Sequence, residues 1–195
     1  MASGVEILPG IEINSQCNGT ELHFLGYFVN HDNKQFLRLL ALIKESRLLR
    51  INHIIARLRA LGIGVEASRV LDISKGESIG RRHVAEALLE GGYVKSIREA
   101  FESYLGIGKP GYAERYHPSP KEAIMAIRKA GGVAVWAHPG TARADSVITE
   151  LVEAGLQGIE VYHPEHDSAL DSRYKAMAEA YRLIPTGGSD FHSLS

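Results

Sequence analysis

The spacing of apolar and polar positions changes period along the chain, and each change marks a different kind of element. Val5-Glu6-Ile7-Leu8-Pro9-Gly10-Ile11-Glu12-Ile13-Asn14 is apolar on both faces, the pattern of a strand buried in a sheet. Residues 16–19 read as a turn, and Glu21 to Val29 return as a second strand. From Asp32 the period becomes helical. Phe36, Leu39, Leu40 and Ile43, then Ile51, Ile54, Ile55, Leu58 and Leu61, recur at helical spacings until Gly62 and Gly64 stop them. Lys34, Arg38, Lys44, Arg47, Arg50, Arg57 and Arg59 occupy the other faces of this long helix. Arg81 to Glu90 predicts a shorter helix closing on Gly91-Gly92, and Ser96-Ile97-Arg98-Glu99 is a capping box that opens another. The loop Gly106 to Tyr112 then bends the chain, with Lys109 at its centre.

Beyond Tyr116 strands and helices alternate. Ser119, Pro120 and Glu122 supply an N-cap, a first-turn proline and a reciprocal acid for a helix ending at Gly131-Gly132. The strand Val133 to Ala137 runs into His138-Pro139-Gly140, and the strand Gly158 to Tyr162 runs into His163-Pro164. Predicted helices from about Asp145 to Ala154 and from about Ser168 to Arg182 follow those two strands. Leu183 to Thr186 then lead into Gly187-Gly188-Ser189-Asp190-Phe191-His192. The pattern predicts a parallel α/β part, residues 1–31 with 117–195, and an all-helical insertion or cap, residues 32–116.

The 195 residues suffice for one substantial core or for one domain carrying an insertion. Mean hydropathy of −0.09 and 45% apolar residues describe a globular chain, with no run near the roughly 20 residues of a membrane span. No basic-then-apolar leader opens the sequence, and the single cysteine, Cys17, excludes an internal disulfide. A cytoplasmic setting is therefore expected. The net charge of −1 hides an asymmetry: residues 32–116 carry 15 Lys and Arg against 10 Asp and Glu, a net of +5 that suits an anionic substrate. No module that reads nucleic-acid sequence is evident.

Asp190 and His192, two apart at the end of an extended run, share one side, and the preceding glycines let the backbone approach closely. A carboxylate and an imidazole on one side are good ligands for a divalent metal. Glu12, between Ile11 and Ile13 near the expected strand end, needs a hydrogen bond, a partner or a cation if it is buried. His23, His138 and His163 also stand at strand ends, so all six residues are placed to converge on one mouth. Each alone reads equally as an ordinary polar strand end.

In combination, Gly10-Ile11-Glu12, Glu21-Leu22-His23-Phe24-Leu25-Gly26, Ala137-His138-Pro139-Gly140 and Gly188-Ser189-Asp190-Phe191-His192 resemble the PHP (polymerase and histidinol phosphatase) family over nearly the whole chain. The similarity is to its stand-alone bacterial phosphoesterases, which carry segments like Ile79 to His83 and Gly108 to Tyr112 in a helical insertion. The resemblance implies a distorted (β/α)7 TIM-like barrel, incomplete here. It implies up to three Mn, Fe or Zn ions and a metal-bridging hydroxide that attacks phosphorus. Glu12 would bridge two metals, His23 and His138 would complete the ligands of one, Asp190 would hold the second and His192 the third. Catalysis would fall to Glu12, His138, Asp190 and His192, with Arg81, Lys109 and His163 on the substrate, a nucleotide or short oligonucleotide phosphate.

The family's first strand, with its His-x-His pair, has no counterpart in this sequence. The expectations are therefore fewer metals than in the family, exposed barrel edges open to self-association, and a rival reading as an inactive metal- or anion-binding remnant or interaction module.

Overall fold

The computed structural model describes residue 4 and residues 6–76 and 78–191. The chain packs as two compact units, one of residues up to Leu39 together with those from His117 on, the other Leu40–Tyr116. The first unit is built on a mixed five-stranded sheet in the order β1-β2-β3-β4-β5. The strands are β1 (Gly10–Cys17), β2 (Thr20–Tyr27), β3 (Val133–Trp136), β4 (Gly158–Tyr162) and β5 (Ile184–Gly187). β1 and β2 form an antiparallel hairpin turned at Asn18 and Gly19, both in the left-handed region. β2 is antiparallel to β3, whereas β4 is parallel to both β3 and β5.

That topology changes where Glu12 stands along its strand and explains how His23 reaches the others. The first strand begins at Gly10, so Glu12 is its third residue and lies near its start, not its end. His23 lies near the start of β2, but β2 runs against β3, so this start meets the C-terminal tip of β3. The Ala137 N–H closes the junction by donating to the His23 carbonyl at 2.9 Å.

Alternation along the strands separates the two faces of the sheet. Leu22, Phe24, Ala134, Trp136, Ile159 and Val161 are buried. α5 (Pro120–Lys129) covers Gly26 on this face, with Ile127 so close that an added Cβ would meet it at 3.0 Å. Ser119 accepts from the Glu122 N–H and Glu122 accepts from the Ser119 N–H at 2.8 Å, the reciprocal cap that the sequence predicts. The opposite face carries Glu12, Asn14, His23 and Leu25, because residues directly across an antiparallel pair point the same way. These side chains are only half-buried, apart from the more exposed rim.

Beyond β3 comes a short helix α6 (Pro139–Ala142), and the helix expected from about Asp145 to Ala154 is present as a 3-10 turn (Asp145–Val147) running into α7 (Ile148–Glu153). Tyr174, fully buried on α8 (Ser168–Tyr181), donates to Asp145 at 3.2 Å and fixes that segment. Arg173 pairs with the same carboxylate. Burial, with the Asp145 charge beside it, pushes the Tyr174 hydroxyl up to about 12, so it remains a donor.

The second unit has helices as its regular elements, the first of them beginning within the sheet unit. α1 (Lys34–Ala60), capped by Asn33, supplies Ile51, Ile54 and Leu58 to a core shared with Val70 on α2 (Ala67–Ser74) and Val84 and Leu88 on α3 (Arg81–Glu90). α4 (Ile97–Ala100) widens into one π turn, Phe101–Leu105, before the glycine-rich loop. Among the described residues no helix is long and apolar enough to cross a membrane.

Candidate metal centre

Glu12, His23 and His138 meet at the junction of β1, β2 and the tip of β3. His23 Nδ1 lies 2.6 Å from Glu12 Oε1 and 3.1 Å from His138 Nε2, and His138 Nε2 lies 3.4 Å from Glu12 Oε1. Zinc bonds of about 2.0–2.1 Å place neighbouring tetrahedral ligands about 3.3 Å apart. The triangle therefore has the span of one face of a coordination sphere, once its shortest edge opens by several tenths of an ångström. Among the described residues these three form the cluster able to hold a metal ion.

Which lone pairs face the centre follows from the outer partners. Thr141 donates its hydroxyl proton to the His138 carbonyl at 3.0 Å, so its oxygen is left to accept from His138 Nδ1 at 3.0 Å. That keeps the proton on Nδ1 and the Nε2 lone pair toward the centre. On the other imidazole, His23 Nε2 lies 2.8 Å from the Asn14 amide and 3.5 Å from Glu21. That amide nitrogen also donates to Glu21 at 3.0 Å, and the Glu21 carboxylate beside Nε2 is placed to take that atom's proton, leaving Nδ1 toward Glu12 and His138. A cavity of about 300 Å³ opens beside the cluster, lined among others by Glu21, His23, His138 and Thr141.

The close approach of the His138 and then the His23 ring nitrogens holds the Glu12 carboxyl far below the usual carboxylate range, although burial opposes them. Burial works against a charge on His23, but hydrogen bonds to Glu12 and Glu21 outweigh it and raise its pKa to about 9. A site that recruits positive charge this strongly is chemically suited to a divalent metal.

The remaining candidates are distributed differently. His163 stands one ring beyond His138, with centroids 5.5 Å apart. Its Nδ1 accepts from the Glu165 N–H at 3.2 Å, which leaves the buried Nε2 as a donor without a protein partner among the described residues. Asp190 follows β5 on the exposed tip, in the left-handed region, outside the three-residue cluster. His192 lies outside the described residues. Arg81 and Lys109 belong to the helical unit. The Arg81 guanidinium lies between the rings of Tyr112 and Phe101, at 5.5 and 5.7 Å from their centroids, and donates to the Leu105 carbonyl at 3.1 Å. Lys109 is exposed in the loop between α4 and α5.

Sequence reasoning passed over Asn14, Thr141, His166 and Glu160. His166 fastens the loop after β3 to β4, donating from Nδ1 to the Val161 carbonyl at 2.8 Å and accepting from the Gly140 N–H at 3.2 Å. Glu160 is only 3% exposed, in the middle of an otherwise apolar strand. The argument applied to Glu12 between two isoleucines would have found it between Ile159 and Val161.

No family model matches the chain. The 3′,5′-nucleoside bisphosphate phosphatase of Chromobacterium violaceum is 33% identical over 196 residues, covering 97% of this chain and 69% of the relative. The chain belongs to the PHP phosphoesterases. This PHP phosphoesterase is also 30% identical to the phosphoribosyl 1,2-cyclic phosphate 1,2-diphosphodiesterase of Eggerthella lenta, over 97% of its own length and 74% of the relative's. It is 28% identical to the 5′-3′ exoribonuclease Rnm of Escherichia coli, over 96% and 66%. A crystal structure from Bifidobacterium adolescentis, assigned as a metal-dependent phosphoesterase, superposes with a TM-score of 0.83 at 30% identity. That match covers 97% of this chain and 69% of the other. The hydrolase chemistry of these relatives and the Glu12, His23 and His138 cluster agree on a divalent metal as cofactor.

Proposed function

We propose that this PHP phosphoesterase hydrolyses phosphate esters of nucleotides or short oligonucleotides at the centre made by Glu12, His23 and His138. The observation that carries the reading is the ligand triangle itself, three donor atoms within 3.4 Å of one another with His138 Nε2 freed by Thr141. The substrate class draws on the names of the relatives, which act on a nucleoside bisphosphate, a cyclic ribosyl phosphate and RNA. When bound, a divalent metal lowers the pKa of the attacking water and offsets charge on the phosphoryl oxygens. Glu12 and the two imidazoles orient that chemistry, and Glu12 supplies the negative charge that keeps the ion in place. His163 Nε2–H, the buried donor beside His138, takes a substrate oxygen.

Asp190 and His192 serve as ligands of the second and third metals, and Mn, Fe and Zn are the candidate ions. Residues 1–31 and 117–195 form a partial barrel of the (β/α)7 kind, and residues 32–116 a separate helical insertion domain. In that domain Arg81 offers phosphate a fork and Lys109 a point charge. The reading includes a cytoplasmic location and self-association through the outer strands β1 and β5. Assays with added Mn²⁺ on a nucleoside 3′,5′-bisphosphate and on short 5′-phosphorylated RNA test the central claim. Glu12→Gln and His138→Ala should each lose at least about a hundredfold in rate, the scale of one charge-stabilising group. Equal rates in parent and variants reject the centre. The position of Asp190 outside the cluster favours a rival, metal binding without turnover, and that reading expects stoichiometric Mn²⁺ uptake with no hydrolysis.

A further inference from the structure

We infer that Glu160 is a positioning residue of this centre, one that presents His138 to the metal by holding its backbone; the inference rests on the metal-centre reading above. Glu160 Oε2 accepts from the His138 N–H at 2.7 Å. The recipient residue needs such a hold. His138 has a φ of +29° and a ψ of 57°, a left-handed conformation that non-glycine residues adopt rarely, at the point where β3 turns into α6. An acceptor oxygen fixed 2.7 Å away on the neighbouring strand is suited to maintaining an unfavourable turn.

The remaining polar groups of His138 are also committed. Its carbonyl accepts from the Thr141 N–H at 3.1 Å and from the Thr141 hydroxyl at 3.0 Å, and Nδ1 meets the same hydroxyl. Only Nε2 is left toward Glu12 and His23. Glu160 supplies the one constraint in this set that comes from another strand, and so fixes the tip of β3 against β4. A buried carboxylate is costly, and an apolar residue would pack in β4 at less expense. The fold nevertheless accommodates it. At the tip of β5, Gly188 has no side chain where a Cβ would come within 2.3 Å of Glu160 Oε1. The glycine that precedes the Ser189-Asp190 tip thus makes room for the acid that holds His138.

Cobalt(II) titration of the metal-stripped chain, followed by visible absorption, separates this role from a general structural one. Glu160→Gln keeps an acceptor oxygen at the same reach and should bind Co²⁺ within about threefold of the parent. Glu160→Asp keeps the charge but falls short of the His138 N–H, and Glu160→Ala removes the acceptor. Both should bind about 10- to 100-fold more weakly, the scale of lost outer-shell partners, with an altered cobalt spectrum. The metal-free urea midpoint of Glu160→Ala should stay near that of the parent, since losing the His138 N–H partner is offset by removing a buried acid, whereas Glu160→Asp keeps the acid without that partner and should be lower. Parent-like binding by Glu160→Asp and Glu160→Ala, alongside loss in a His138→Ala control, overturns the inference alone. A Glu160→Gln variant as weak as Glu160→Ala also overturns it. If the parent takes up no cobalt, or His138→Ala binds as the parent does, the metal-centre reading falls and this inference falls with it.

Discussion

Protonation is where the behaviour of single residues can be read most directly. Glu12 and His23 are a half-buried acid and base whose proton is held between them, so the metal-free centre is stabilised by charge that a metal must displace. The two contributions have opposite limits in pH. His23 has a folded pKa raised from 6.5 to about 9, so its contribution is complete below 6.5 and is lost as pH rises through about 9. Glu12 is depressed from 4.5, so its contribution is present above 4.5 and is lost as pH falls below that value. Metal-free protein should therefore be most stable between pH 4.5 and 6.5. It should lose on the order of 1–2 kcal/mol toward pH 9, less than the full shift implies because water screens this half-open site. Metal binding has the reverse dependence, since His23 must release its proton to ligate. Co²⁺ affinity should climb by up to about tenfold per pH unit between pH 6.5 and 8.5 and flatten near 9. Urea denaturation in chelator and calorimetric titration across this range check the two halves. An affinity that does not change with pH would mean that His23 is not a ligand.

At the scale of elements, the stacked rings and guanidinium groups of the helical unit offer a separate test. Tyr112 has Arg81 at 5.5 Å and Arg50 at 5.7 Å from its ring centroid, so one aromatic side chain holds two cations from α3 and α1. Each such contact is worth about 0.5–1 kcal/mol at a partly exposed site. Tyr112→Phe keeps the ring and should leave stability nearly unchanged, whereas Tyr112→Leu should cost about 1–2 kcal/mol. A double-mutant cycle with Arg81→Met should return a coupling of about 0.5–1 kcal/mol, and additivity within error would show that the ring does not hold the arginine. The segments differ in how readily the sequence alone discloses them. α5 was legible to the residue because Ser119, Pro120 and Glu122 are local signals that need no tertiary context. The short helix α6 directly after His138 was not, since Pro139-Gly140 reads as a turn, whereas the helix expected from about Asp145 is present as a 3-10 turn and α7. Glu12 was misplaced along β1 for another reason. Its apolar flanks announce burial, but where the strand begins is set by pairing with β2, which no local pattern encodes. His23 and His138 were identifiable as strand-end imidazoles. Their convergence depends on the antiparallel hairpin that brings the start of β2 to the tip of β3, and that is a property of topology.

For the whole molecule, the division of labour between the two units leads to a prediction about how metal binding spreads. Glu12, His23 and His138 all lie in the sheet unit, whereas the helical unit has its own core of residues from Ile51 to Ala113. A ligand stabilises whatever must unfold to release it, by about 2.7 kcal/mol when its concentration is 100 times its Kd. Amides of β2, β3 and β4 that exchange only through unfolding of the sheet unit should therefore slow by about a hundredfold in saturating Mn²⁺. Amides of Ile54, Leu58 and Leu88, buried in the other core, should exchange at their metal-free rates. Hydrogen exchange followed by mass spectrometry reads both sets in one experiment. Equal slowing in both would show that the units unfold as one cooperative body, so that metal binding at the sheet tips also governs the stability of Arg81 and Lys109. Slowing in neither, with Mn²⁺ bound in stoichiometric amount, would place the ion outside the Glu12, His23 and His138 triangle.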